Sequence, residues 1–200
     1  MEKLKIKVAD LFGTLVLRII MILDDIVDVA VTCLVTFVVA LIITTFFFSP
    51  FRIDGTSMFP TISDNAVGVS SIIDRRINGI ERFDIVIIKL SDSENLVKRV
   101  IGLPGETIRY VNDVLYVNDV MIPEDFLVEE YVEYQKEIHN RKNFTNNVGE
   151  VTLGDDEYYC LGDNRLVSLD SRMYGPFKVD QIISKGAFII FPFSNFGKAD

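Results

Sequence analysis

The 200-residue sequence contains one histidine and two cysteines. His139 stands in IHNRKNF, a charged, polar stretch that reads as a solvated loop, so a histidine base is not expected to carry the chemistry. Cys33 falls in a long apolar run and Cys160 in an apolar strand, which argues against a bridge between them. Stability must then come from a core rather than a disulfide framework. Positive charge is in deficit: 20 Lys and Arg against 29 Asp and Glu leave a net charge of −9. That balance argues against nucleic acid as a partner. No small-x-small site follows the apolar run, which is also too long for a cleaved signal peptide, so the run is expected to be retained.

What is present begins with that run. From Val29 to Phe51 there is no charge. At ~1.5 Å per residue, about 20 helical residues cross a ~30 Å hydrocarbon core, which assigns 29–50 as a transmembrane anchor. Within residues 1–28, Lys3, Lys7, Asp10, Thr14, Arg18, Asp25 and Asp28 recur every three or four positions. Leu4, Val8, Leu11, Leu15, Ile19, Ile22 and Ile26 lie between them. This is an amphipathic helix, expected to lie at the membrane surface. A second spanning segment is the alternative, hampered by Arg18, Asp24 and Asp25. Lys3, Lys5, Lys7 and Arg18 precede the span and only Arg52 follows it closely. The excess puts the N-terminus in the cytoplasm and residues 51–200 outside as a single domain.

Past the span the texture is that of strands. AVGVSSII (66–73), FDIVIIKL (83–90) and LVKRVIGL (96–103) are rich in β-branched residues. YVNDVLYVNDV (110–120) reads as a meander turning at Asn112-Asp113 and Asn118-Asp119. Residues 123–150 turn acidic and polar, and read as an irregular insertion or mobile flap. DEYYCLGD (156–163) and AFIIFPF (187–193) read as buried strands, with a short helix at 179–183 between them. Helices do not alternate with strands, so the domain is expected to be mainly β and antiparallel.

Two stretches carry candidate chemistry. In DGTSMFPT (54–61), Ser57 sits between Gly55, which permits unusual backbone angles, and Pro60, which forces a turn. Ser57 is either part of a surface turn or a nucleophile, and as a nucleophile it needs a base. Lysine can serve. Lys98 lies in LVKRVIGLPGE, where strand alternation puts Leu96, Lys98 and Val100 on one face and Val97, Arg99 and Ile101 on the other. Burial among apolar neighbours would lower the Lys98 pKa toward the range a base requires.

SMFPT (57–61), KRVIGLPGE (98–106) and GDNRLVSLDSR (162–172), in this order after a hydrophobic anchor, resemble bacterial type I signal peptidases over roughly residues 29–193. The resemblance implies a membrane-bound Ser–Lys endopeptidase with Ser57 as nucleophile and Lys98 as general base. It implies signal peptides of secreted preproteins and membrane lipid as partners, and no cofactor or metal. Ser168 matches a serine that orients the lysine, and Asp170 and Arg172 match a structural ion pair. Phe51, Ile53, Met58, Ile62, Leu96 and Val97 match substrate pockets. The family binds its substrate as an added strand. Gly55 stands where one branch has an oxyanion-hole serine, which leaves the Ser57 N–H as the expected main donor. Thr56 replaces an acidic residue or Gly, Phe83 replaces the Gly of an Arg-Gly-Asp element, and Leu166 and Val167 replace a polar pair. Two alternatives stay open: a self-cleaving regulator with the same dyad, and a catalytically silent membrane-tethered module that binds secreted chains.

Overall fold

The computed structural model describes residues 2–199, with side chains placed for residues 13, 15 and 17–199. Contacts divide the chain into one unit at Met1–Thr45 and a second at Phe46–Asp200. Helix α1 runs unbroken over Glu2–Phe47. The expected amphipathic helix and the expected anchor from residue 29 are continuous in it, with no break at residue 28. Between Gly13 and Pro50 there is no glycine or proline to interrupt it. The part long and apolar enough to cross a membrane is Leu17–Phe47, which begins well before Val29. Within it the hydroxyls of Thr36 and Thr44 donate back to the carbonyls of Thr32 and Ala40, so they bring no bare polar group to an apolar surface. Of the polar stripe, the side chains of Lys3, Lys7, Asp10 and Thr14 lie outside the described residues.

The second unit is built on two antiparallel sheets. The strands are β1 (Phe48–Arg52), β2 (Val67–Ser71), β3 (Ile85–Lys89), β4 (Asn95–Gly102), β5 (Thr107–Val111), β6 (Val114–Val117), β7 (Val120–Ile122), β8 (Val148–Thr152), β9 (Glu157–Leu161), β10 (Phe177–Lys178), β11 (Ile182–Phe191) and β12 (Gly197–Ala199). The larger sheet has the order β1-β2-β11-β3-β4-β9-β10, with β12 on β11; the smaller has the order β7-β6-β5-β8. Asn112, Asp113, Asn118 and Asp119 all take positive φ, between 49° and 69°. These are the left-handed pairs that two-residue hairpins need, and they join β5, β6 and β7 as the repeated Asn-Asp predicts.

Helices appear in two places where the sequence suggested other structure. AVGVSSII ends as a strand at Ser71, whose hydroxyl accepts from the Asp74 N–H at 3.0 Å and caps α2 (Ile72–Asn78). Residues 123–150 are ordered around α3 (Glu129–Ile138). Glu129 and Glu130 sit in its first turn, where acidic side chains favour a helix start. The acidic residues that suggested a solvated loop thus support a helix. Tyr131 packs edge-on against Phe144, with ring centroids 6.2 Å apart. The short helix expected at 179–183 is a single 3-10 turn, Val179–Gln181, and Ile182 already begins β11.

Three apolar clusters form the core. Ile101, Ile108, Tyr110, Leu115 and Leu161 join the two sheets. Ile53, Met58, Ile62, Ile85 and Ile189 lie under the Ser57 loop. Val86, Ile88, Val100, Cys160 and Ile182 fill the other side of the large sheet. Strand β4 contributes to all three clusters through Ile101, Val97 and Val100. It therefore holds its two cations in a fixed setting.

Candidate active site

Lys98 and Arg99 are adjacent on β4, and both are buried. Successive strand side chains point to opposite faces, so the two cations serve different surroundings. Lys98 Nζ donates to Ser57 Oγ at 2.8 Å. Desolvation by burial lowers the Lys98 pKa to about 8, against the opposing pull of the Asp170 and Asp163 carboxylates. Lys98 is thus neutral in roughly a tenth of molecules at pH 7 and in about half near pH 8, against almost none for an ordinary lysine, and the neutral form is what a base requires.

Ser57 is positioned from two directions. Gly55, at φ +102°, donates its N–H to Asp64 Oδ1 at 2.8 Å, and this fixes the approach to the loop. The Ser57 carbonyl accepts from the Asn164 N–H at 3.0 Å, tying the loop to the GDNR turn. Among the described residues the Ser57 N–H has no partner, so it is free to act as a donor.

The GDNR turn is a buried hub. A Cβ on Gly162 would stand 2.5 Å from the Ser57 carbonyl oxygen and 2.6 Å from Ser168 Cβ, so only glycine fits. Asp163 accepts from Arg99 Nε and Nη2 at 2.9 and 2.8 Å and from the Thr61 hydroxyl at 2.6 Å. Arg165 is wholly buried; it donates to Glu124 at 2.6 Å and to the Thr145 hydroxyl at 2.9 Å. Read from sequence, GDN is only a turn signal. The partners of Asp163 and Arg165 lie in distant segments, and the one local sign was the paired cation at 98–99.

Arg172 donates to Asp170 through Nε and Nη2, each at 2.8 Å. Burial would raise the Asp170 pKa, but the Arg172 guanidinium and the Gly162 N–H outweigh it and hold the carboxyl below its usual range. Ser168 is buried beside Gly162; its hydroxyl makes no hydrogen bond to Lys98, and it stands close enough to the Asp170 carboxylate to help hold that group ionised.

A cleft of about 440 Å³ opens beside the pair. Phe51 and Ile53 line one wall and Leu96 and Val97 the other, with Ser57 and Lys98 also on its surface. Met58 and Ile62 are fully buried and belong to the core beneath it. Both walls are strand edges. β1 is the last strand of its sheet, and β4 pairs with β9 only from Arg99 onward, so Asn95–Lys98 have an open side. His139 is exposed at the C-terminal end of α3.

A family model described as signal peptidase, peptidase S26, matches residues 26–191. The chain belongs to the type I signal peptidase family. Signal peptidase IB of Staphylococcus aureus (strain COL) is 33% identical over 183 residues, covering 86% of this chain and 93% of that protein. Signal peptidase I of Bacillus amyloliquefaciens is 34% identical over 176 residues, covering 86% and 92%. The crystal structure of a signal peptidase I from Enterococcus faecalis V583 shares 32% identity, covers 53% of this chain and 95% of that one, and gives a TM-score of 0.45. Membership makes this chain a serine peptidase, and α1 fits the apolar anchor of a signal peptidase. The departure at Phe83 has a structural counterpart: this residue holds φ +72°, a region natural to glycine, and its ring packs on Phe126 at 5.1 Å.

Proposed function

We propose that this signal peptidase cleaves signal peptides from exported preproteins by a Ser–Lys dyad. One observation carries the reading: the 2.8 Å contact between Lys98 Nζ and Ser57 Oγ at a cleft with two open strand edges. A substrate strand entering between β1 and β4 would pair with both edges and direct small side chains into shallow pockets near Phe51, Ile53, Leu96 and Val97. Neutral Lys98 takes the Ser57 proton as Oγ attacks the scissile carbonyl, and the Ser57 N–H stabilises the oxyanion. Lys98 then gives that proton to the leaving amine. A water, deprotonated by Lys98 in turn, releases the acyl group and restores Ser57. Asp170 and Arg172 support the turn that holds Ser57, and Ser168, buried beside Gly162 on that turn, is assigned the orienting of Lys98. Met58 and Ile62 support the pockets from the core beneath them.

The enzyme acts at a membrane. The apolar stretch Leu17–Phe47 anchors it, with the N-terminus cytoplasmic and the β domain extracytoplasmic, as the lysines ahead of the span require. Phe188, Phe191, Phe193 and Phe196 are exposed around β11, a surface suited to lipid and not to nucleic acid. The test is cleavage of a generic preprotein by the full chain in detergent, with Ser57→Ala as the control. Release of the mature chain by the parent alone supports the reading. Cleavage surviving Ser57→Ala would overturn it. Retention of both dyad residues favours this over a silent binding module.

A further inference from the structure

The cleft accounts for the part of a substrate on one side of the scissile bond only. Its walls come from residues 50–54 and 93–98, and none of the residues of the 162–169 turn line it. Yet that turn touches the nucleophile: the Asn164 N–H donates to the Ser57 carbonyl at 3.0 Å, and Gly162 lies against the same oxygen. The turn is thus an element in contact with Ser57 that the cleft walls do not use. Within the loop itself, Phe59 packs against Tyr131, with ring centroids 5.3 Å apart.

Ser168 points inward to Gly162 and is 8% exposed, while Val167 and Leu169 on either side of it are 47% and 57% exposed. The backbone beneath them is fixed. Val167 N–H and Ser168 N–H both donate to the Asn164 carbonyl, and Asp170 accepts from the Gly162 N–H. Two apolar side chains are thus held outward on a rigid support beside the reacting serine. Val167 is also one of the positions where the resemblance leads one to expect a polar residue.

We infer that Val167 and Leu169 are specificity-determining residues that select apolar side chains in the first residues of the mature chain, immediately after the cut. The inference rests on Ser57 being the nucleophile, and it names the substrate class that the same site prefers. An apolar side chain laid across the two removes apolar surface from water, whereas an acidic one is desolvated against them without a partner.

The experiment uses the full chain in detergent and a preprotein with a fixed signal peptide. The first residues after the cut are varied one position at a time between Leu and Glu. At one or more positions the parent should favour Leu in kcat/KM by roughly ten-fold. Val167→Asn and Leu169→Asn should each bring that ratio toward one. Val167→Arg should turn it toward Glu, a change of preference that a misfolded variant cannot produce. A parent that cleaves every preprotein with a ratio near one, or variants that keep the parent's ratio, would overturn the inference and leave the role of Ser57 standing. No cleavage of any preprotein by the parent would overturn both.

Discussion

Arg99 holds Asp163 in a two-pronged ion pair, 2.9 Å from Nε to Oδ1 and 2.8 Å from Nη2 to Oδ2, with both side chains almost wholly buried. The pair joins the strand that carries Lys98 to the turn that holds Ser57. Asp163→Asn would leave the guanidinium buried without its counter-charge, a change that costs about 3–5 kcal/mol. The detergent-solubilised variant should unfold roughly 10 °C below the parent. Arg99→Lys should also fail to restore activity, because an ammonium cannot make both contacts at once. A melting temperature within a degree of the parent would show that the pair contributes little.

With Lys98 as the proposed base, its proton sets the pH dependence. A pKa lowered to about 8 means that kcat/KM should rise with pH through about 8 and level off above it. His139→Ala should leave this limb in place. Lys98→Arg should be inactive, since it cannot deprotonate. Asp170 raises the Lys98 pKa, so Asp170→Asn should move the limb to lower pH, whatever it does to the plateau. A limb that moves upward would contradict this electrostatic account.

The same shift affects stability. Between about 8 and 10.5 the unfolded chain keeps the Lys98 proton and the folded chain does not. Stability rises with pH wherever the unfolded state binds more protons, so Lys98 destabilises the fold below about pH 8 and the penalty fades toward 10.5. Lys98→Met should then be inactive but more stable at pH 7, by an amount on the order of 1–3 kcal/mol. That gain should shrink above pH 10. Thermal melts at the two pH values test it, and equal gains at both would refute the assignment.

Gly162→Ala introduces a methyl where the Ser57 carbonyl and Ser168 already stand. Something must shift, and both neighbours belong to the site. A misplacement of about 1 Å can cost on the order of 100-fold in rate. The loss should appear in kcat more than in KM, since the cleft walls are elsewhere. Parent-like kcat in a stable Gly162→Ala protein would rule out this packing.

Phe83 sets backbone strain against ring packing. Phe83→Gly relieves the left-handed backbone but removes the contact with Phe126. A double-mutant cycle with Phe126→Ala should give a coupling of about 0.5–1.5 kcal/mol. In the Phe126→Ala background, Phe83→Gly should lose most of its cost. Additive effects would show that the two rings do not act together.

How much of this was legible in the sequence depended on range. The Asn-Asp turns declared themselves because two adjacent residues that tolerate positive φ suffice to make such a hairpin. Ser57 and Lys98 stood out because their neighbours constrain them locally. Helix α3 was hidden because Glu129, Glu130, Glu133 and Glu137 suggest solvation, while the apolar contact through Tyr131 depends on a ring thirteen residues away. Arg165 with Glu124, and Arg99 with Asp163, are pairings across distant segments that no local pattern announces. Met58 and Ile62 matched pocket positions, but burial places them below the pocket, a distinction that sequence alone does not draw.

The GDNR turn also has a bearing on the order of synthesis. Ser57 and Lys98 are both made in the first half of the chain, yet the groups that hold them together come from residues 162–172. A chain still being extended has Ser57 and Lys98 but not the turn that joins the segments carrying them. On the proposed function, cleavage would have to wait until the last quarter of the chain folds back onto the first strands.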